Sequence, residues 1–292
     1  MKRKDWSLVL RKAGNAGRKA ILRNYTETSR HKILGKGMGG DMTLRIDEVS
    51  ERAIYNSLKS NLGKEFVFLS EEIGEVSKIH NEASDVPIVV CDPLDGSHNA
   101  EVGIPLFSLA LSVIEPNIEV QTSPRAFGNI VAGLITSIKT DDEFVASKGK
   151  GSFHNGKKMK PSRVKTSHLI RTLLIETSDL EYLREKILTK LSKEQVNKTR
   201  LLGSAAISYS MLASGSADAL IFAQPGGART IDSPAGFLIA REAGCVFSNV
   251  TEGVRENSVE NIDVGFSSRA NLIGAANTAI LSYLEETLVK LP

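Results

Sequence analysis

Ile88-Val89-Val90-Cys91-Asp92-Pro93-Leu94-Asp95-Gly96-Ser97 is the stretch on which the fold and chemistry of this chain turn. Its first four residues form a short apolar run, bounded by charge, that suits a strand buried on both faces. Pro93 has no backbone N–H to donate and Gly96 tolerates dihedrals closed to other residues, so the spacing predicts that the strand ends after Cys91 in a tight turn. Such a turn aims the carboxylates of Asp92 and Asp95 at one site and frees the Leu94 carbonyl as a neutral third oxygen. Gly96 and Ser97 then stand where a helix or turn begins, and backbone N–H groups at such a start attract a phosphate. Hard cations beside an anion suit phosphoryl transfer, in which two metal ions about 3.5–4 Å apart clamp the attacking and leaving oxygens.

Two further segments supply carboxylates of the kind Mg²⁺ requires. Glu71 and Glu72 follow the apolar run Phe66 to Leu69, and Asp232 opens a helix after a Gly-rich loop, in Ile231-Asp232-Ser233-Pro234-Ala235-Gly236. Taken singly, each has a plainer explanation: Asp95-Gly96 as a surface turn, Glu71-Glu72 as a solvated pair, Asp232 as a helix N-cap. Together they end strands or start a helix, where α/β proteins commonly place ligands.

Working outward, the basic segment up to Arg23 carries Trp6, Leu8, Val9, Leu10, Ala13, Ala16, Ile21 and Leu22 at helical spacing, which predicts an amphipathic helix. A loop with four glycines, Gly35 to Gly40, follows and is expected to be mobile; it lacks the Lys-Ser/Thr ending of a phosphate-binding P-loop. A helix is predicted over 46–60 and strands over 106–114 and 130–138. Beyond Asn155-Gly156 the pattern alternates: strands near 169–175, 199–202 and 217–222, helices near 180–191, 204–213 and 232–243, which is α/β in character.

The chain has 292 residues, 41% hydrophobic and 24% charged, enough for one large domain or two packed halves. A net charge of +3 from 37 basic and 34 acidic residues is too weak a bias for nucleic-acid binding. No apolar run approaches the roughly 18 residues that span a bilayer, and no signal peptide is evident, so a cytoplasmic protein with no membrane partner is expected. Cys91 and Cys245 lie in apolar contexts without zinc spacing and are expected to be buried thiols.

The assembled motifs resemble the inositol monophosphatase superfamily, which includes fructose-1,6-bisphosphatases. Asp41-Met42-Thr43 with Asp47-Glu48-Val49-Ser50-Glu51 is similar to the family's entry motif, Leu69-Ser70-Glu71-Glu72 to its glutamate pair, Asp92 to Ser97 to its central signature and Asp232 to Gly236 to its last ligand segment. Lys148 to Gly156 and Arg200-Leu201-Leu202-Gly203-Ser204-Ala205-Ala206 extend the match, and Asn99-Ala100 with Gly103-Ile104-Pro105 is closest to the archaeal branch, whose members often hydrolyse both inositol 1-phosphate and fructose 1,6-bisphosphate. The resemblance implies a layered αβαβα sandwich, α+β or α/β, usually homodimeric. The pattern along the chain places a soft boundary near residue 140, so that residues 1–140 are expected as an α+β half with most metal ligands and 141–292 as an α/β half with the last ligand and the substrate contacts. Glu71, Asp92 and the Leu94 carbonyl would hold one Mg²⁺, and Asp92, Asp95 and Asp232 a second. A third ion would lean on Glu71, and Mn²⁺ is an alternative metal. Asp47 and Ser97 would position an attacking water, with Glu72 a further catalytic residue. The small phosphorylated substrate would touch Asp95, Gly96, Ser97, Lys198, Arg200, Gly203, Ser204, Ala205 and Gln224.

Several positions depart from the family. Ser97 replaces the usual threonine but keeps its hydroxyl, His98 stands at an aromatic position, and Ile231 replaces an aromatic residue. Val102, Phe222 and Gln224 stand where archaeal relatives often have a basic, an acidic and an arginine residue. These changes leave the polyol and second-phosphate contacts open, with Lys198, Arg200 and Arg229 as possible compensation. The competing readings are a phosphatase of adenosine 3′,5′-bisphosphate and a non-catalytic metal-binding homologue.

Overall fold

The strand that begins at Ile88 does not stop at Cys91 but runs to Asp95. Its ladder to the antiparallel strand Ser108–Ile114 slips between Asp92, opposite Ala110, and Asp95, opposite Ser108. The extra residue makes a β-bulge, one of the few places in a sheet where a residue without an N–H fits, and this accommodates Pro93. The carbonyl of Pro93 still accepts from Ser50 Oγ at 2.8 Å. The expected tight turn is thus a bulge within the sheet.

The computed structural model describes residues 4–38, 42–63, 66–76, 86–115, 123–164, 169–251 and 258–288. Within them an eight-stranded sheet has the spatial order Lys157–Lys158, Gly151–His154, Glu143–Ser147, Ile130–Ser137, Ser108–Ile114, Ile88–Asp95, Val67–Ser70 and Gly74–Val76. All its neighbours are antiparallel except Val67–Ser70 and Ile88–Asp95, which run parallel. A five-stranded mixed sheet follows in the order Val196–Arg200, Ile170–Glu176, Ala219–Phe222, Leu272–Ala275 and Val246–Asn249.

Three helical layers separate and cover the two sheets. The helices Trp6–Asn24 and Arg45–Leu62 bury Leu10, Ile21, Ile54 and Leu58 against one face of the larger sheet, among Phe68, Val89, Leu109, Leu111 and Leu134. The helices Ala205–Ala213 and Pro234–Ala243 lie between the sheets, in a core shared by Leu69, Ile88, Val90 and Ile135 of one and Leu174, Leu220 and Leu272 of the other. The outer face of the smaller sheet packs Ile175, Ile221 and Ile273 against Leu183 and Ile187 and the helix Thr278–Leu288. The architecture is the expected αβαβα sandwich, an α+β arrangement of mixed sheets.

Residue alternation explains why the strand over 88–91 is apolar throughout. Ile88 and Val90 enter the middle core, while Val89 and Cys91 enter the outer one, so both faces need burial. The middle layer is tight: a Cβ at Gly236 would lie 2.5 Å from the Tyr209 ring. The glycine therefore sets how closely those two helices approach.

The expected elements form with small shifts. The segment predicted as one helix over 180–191 is instead a short helix, a π-turn and a 3₁₀-turn covering Leu180–Lys190. Cys91 and Cys245 are buried and unpaired, and burial raises both thiols' pKa, that of Cys245 to about 12. Gly35 and Lys36 lie in the short strand Ile33–Lys36, while Gly39, Gly40 and Asp41 fall outside the described residues.

Candidate active site

A cleft of about 320 Å³ opens where the bulged strand meets the middle helical layer. Its lining includes Glu71, Asp92, Leu94, Asp95, Gly96, Ser97 and His98, together with Gly203, Ser204, Ala205, Phe222, Gln224, Arg229 and Asp232. The three carboxylate segments singled out in the sequence therefore converge. Asp92 is 5% exposed and its pKa is pushed well up, first by burial and then by the charges of Glu71, Asp95 and Asp232. Its Oδ1 accepts the Leu94 N–H at 3.0 Å across the bulge.

Asp95 is fixed by the start of the helix Ala205–Ala213. It accepts from Ala205 N at 3.0 Å, Ala206 N at 3.1 Å, Ser108 Oγ at 3.2 Å and the hydroxyl of Ser204, the helix N-cap. Burial raises its pKa to about 6, with Glu176 adding to the rise while the helix donors oppose it. The Ala205 amide, expected to meet substrate, is thus already engaged by Asp95.

Glu176, the last residue of its strand, is a buried carboxylate that went unnoticed in the sequence. It accepts from Leu202 N at 3.1 Å, Gly203 N at 3.2 Å and Ser208 Oγ at 2.5 Å. Glu176 and Asp95 therefore divide the row of N–H groups that opens this helix, where a helix end favours negative charge. Asn99 ties the opposite wall to the same loop, donating to Leu106 O and Leu202 O at 2.7 Å each. Gly96 is left-handed at φ 81°, and a Cβ there would press on the carbonyls of Leu106 and Gly203 at 3.0 and 3.1 Å. The turn after Asp95 consequently needs glycine twice over.

Glu71 is positioned from behind. Glu51, buried on the helix Arg45–Leu62, accepts from Ser70 Oγ and from Ile73 N at 3.2 Å, gripping both ends of the turn that carries Glu71 and Glu72. Glu72 points to the Met42–Leu44 strand, where Thr43 Oγ1 donates to it. Asp47 is 1% exposed and accepts the Leu44 N–H through Oδ2 at 2.5 Å, whereas its buried Oδ1 has no hydrogen-bond partner. Burial, then the charge of Glu72, holds the Asp47 carboxyl well above its usual range. Asp47 and Glu72 are not among the residues that line the cleft.

Arg229 stands in the middle of this negative charge. Its Nη2 lies 2.8 Å from Glu71 Oε1 and its Nε 3.2 Å from Asp232 Oδ2, with all three side chains at most 19% exposed. Among the described residues, no three Asp, Glu, His or Cys side chains already stand as a chelate. A divalent cation nevertheless fits the donor set: hard carboxylate oxygens, and a buried like-charge repulsion at Asp92 that positive charge relieves.

The remaining expected contacts divide. Gly96, Ser97, Gly203, Ser204 and Gln224 line the cleft, with Gln224 Oε1 accepting from Ser178 Oγ at 3.0 Å. Lys198 and Arg200 do not; both are exposed on the edge strand Val196–Arg200 of the smaller sheet, and Arg200 Nη1 donates to Thr199 O. Val102 is 49% exposed and also outside the lining, so its change does not alter the cleft wall. His98 lies at the mouth, 3.3 Å from Glu101 on an exposed face.

The sequence profile of the inositol monophosphatase family matches residues 5–289. The chain is 30% identical over 258 residues, 88% of its length and 87% of the relative's, to the fructose-1,6-bisphosphatase/inositol-1-monophosphatase of Methanothermobacter thermautotrophicus. A bifunctional NADP phosphatase/NAD kinase of Methanococcus maripaludis is 25% identical over 83% of this chain and 42% of that protein. The crystal structure of the extragenic suppressor protein suhB from Bartonella henselae superposes with a TM-score of 0.78 at 26% identity, covering 98% of this chain and 99% of that one. With the family profile spanning nearly the whole chain and the carboxylate segments meeting in one cleft, the protein belongs to the inositol monophosphatase family and is a phosphoric monoester hydrolase.

Proposed function

We propose that the chain hydrolyses a phosphate monoester of a small polyol or sugar, inositol 1-phosphate or fructose 1,6-bisphosphate or both, using Mg²⁺ held by Glu71, Asp92, the Leu94 carbonyl, Asp95 and Asp232. The observation that carries this reading is the convergence of those residues on a cleft that also contains the turn Gly96-Ser97. The metal, when bound, neutralises the ester's charge and activates water for in-line attack. The chain's own residues do the rest. Ser97 lines the cleft, and Asp47, whose buried Oδ1 has no hydrogen-bond partner, is the residue we assign with it to orienting the water. Glu51, Glu176 and Asn99 hold the three walls in register.

Phosphate release from a panel of inositol, sugar and nucleotide phosphates across a range of Mg²⁺ concentrations tests the reading. Asp92→Asn is the sharper variant, because Asp95 also anchors a helix. Turnover should fall by orders of magnitude, and near-normal activity would exclude the metal assignment. The metal-free variant should melt at or above the wild-type temperature, since a neutral side chain escapes the repulsion that raises the Asp92 pKa.

A nucleotide substrate is the second reading, favoured by the apolar Phe222 in the cleft wall and by the relative named as an NADP phosphatase. Preferential release from NADP or adenosine 3′,5′-bisphosphate would establish it. The exposed Val102, Ile104 and Leu106 support a homodimer, which sedimentation would test, and the buried unpaired thiols support a reducing, cytoplasmic location.

A further inference from the structure

Arg229 makes ion pairs with Glu71 and Asp232, two cleft residues from segments far apart in the chain. Its guanidinium thus uses carboxylate oxygens that a divalent cation would need. Its backbone cannot follow it elsewhere. Ala228 and Arg229 pair with Ala270 and Arg269, and Asn271 clamps the preceding loop, accepting from Gln224 N at 2.9 Å and Ala228 N at 3.1 Å and donating to Gln224 O at 3.1 Å. The backbone is thus held, and a rearrangement of Arg229 is one of its side chain, in the same cleft as Gln224.

We infer that Arg229 is an internal counter-ion that the metal displaces, and that the displaced guanidinium then serves as a specificity-determining ligand for the substrate's phosphate. This rests on the metal assignment proposed above. Two consequences are coupled. The arginine occupies one oxygen of each of two carboxylates assigned to the metal ions, so it weakens metal binding. Once released, it adds a positive charge with paired N–H donors to a cleft whose Gln224 supplies none, and such a fork matches phosphate oxygens bidentately. Metal therefore binds before the substrate anion, because the metal liberates the group that receives it.

The test is calorimetric titration of Mg²⁺ and Mn²⁺ into the wild-type protein and Arg229→Met, with thermal melts of both in the presence and absence of metal. Loss of the competitor should tighten metal affinity about tenfold or more, the scale of a charge-assisted hydrogen-bonded contact. The metal-free variant should melt lower than wild type, and the metal-loaded forms should melt alike. With a hydrolysed substrate in hand, KM should rise more than kcat falls, and Arg229→Lys should restore part of the KM. Equal or weaker metal binding by Arg229→Met overturns the inference while leaving the phosphatase reading in place; no metal binding by either protein overturns both. Should Arg229→Met not fold without metal, the wild-type arginine Nε–H resonances decide. One protected resonance should lose its protection on adding Mg²⁺, and its persistence unchanged would overturn the inference.

Discussion

Asp95 carries two duties, and its chemistry couples them. It anchors the N-terminus of the helix Ala205–Ala213 and faces the cleft, with a pKa raised to about 6. A raised carboxyl binds a proton more tightly folded than unfolded, so in the metal-free protein this group favours folding below about pH 4 and loses that contribution as pH rises through about 6. The same proton competes with a cation, so Mg²⁺ affinity should fall as pH drops below about 6, approaching tenfold per pH unit for one displaced proton. Titrations at pH 5, 6 and 7 would show it, and a flat profile would remove Asp95 from the ligand set. Candidate residues of the site were legible where acids follow apolar runs, as at Glu71 and Asp92, or open a helix, as at Asp232. Glu176 was not, because a lone glutamate after Leu173-Leu174-Ile175 reads as an ordinary strand end; only the fold brings residues 202–204 to it.

At the scale of elements, the contact between the helices Ala205–Ala213 and Pro234–Ala243 determines the geometry of the cleft floor. Gly236→Ala places a methyl group against the Tyr209 ring and should cost about 1–3 kcal/mol, seen as a lower denaturant midpoint. Ser204→Ala removes both the N-cap and the hydroxyl donated to Asp95, and should cost about 1 kcal/mol while also weakening metal binding. Elements with strong periodicity or bounded apolar runs were legible to within a few residues, as for Arg45–Leu62 and Ile130–Ser137. The strand Val246–Asn249 was not, because it is partly exposed along its length, and Leu272–Ala275 is a four-residue apolar run that suits strand and buried helix equally.

Across the whole molecule, the middle helical layer belongs to both sheets at once. The chain passes from the larger sheet to the smaller between Lys158 and Ile170, downstream of residue 140 and just after Asn155-Gly156, beyond which the sequence pattern alternates. Because Ile88 and Val90 share one core with Leu174 and Leu220, the two halves should unfold in a single calorimetric transition. Residues 1–160 expressed alone should fail to give a dispersed NMR spectrum, since that fragment would expose the face that buries Leu69, Ile88 and Ile135. Two separate transitions would show instead that the halves are independent. Layer order was legible only through the family resemblance, since local patterns do not say which sheet a helix covers.

The bulge at Pro93 also fixes the length of the motif. Successive side chains of a strand point to opposite faces, so residues three apart, such as Asp92 and Asp95, would ordinarily diverge, one toward the cleft and one toward the helices Trp6–Asn24 and Arg45–Leu62. The inserted residue corrects that parity, letting both carboxylates line the cleft. A regular strand with the same three-residue spacing would leave every acidic side chain in the chain yet turn one of the pair toward the wrong layer. In this family member the slip of the ladder between the two aspartates is therefore as much a part of the site as their charge.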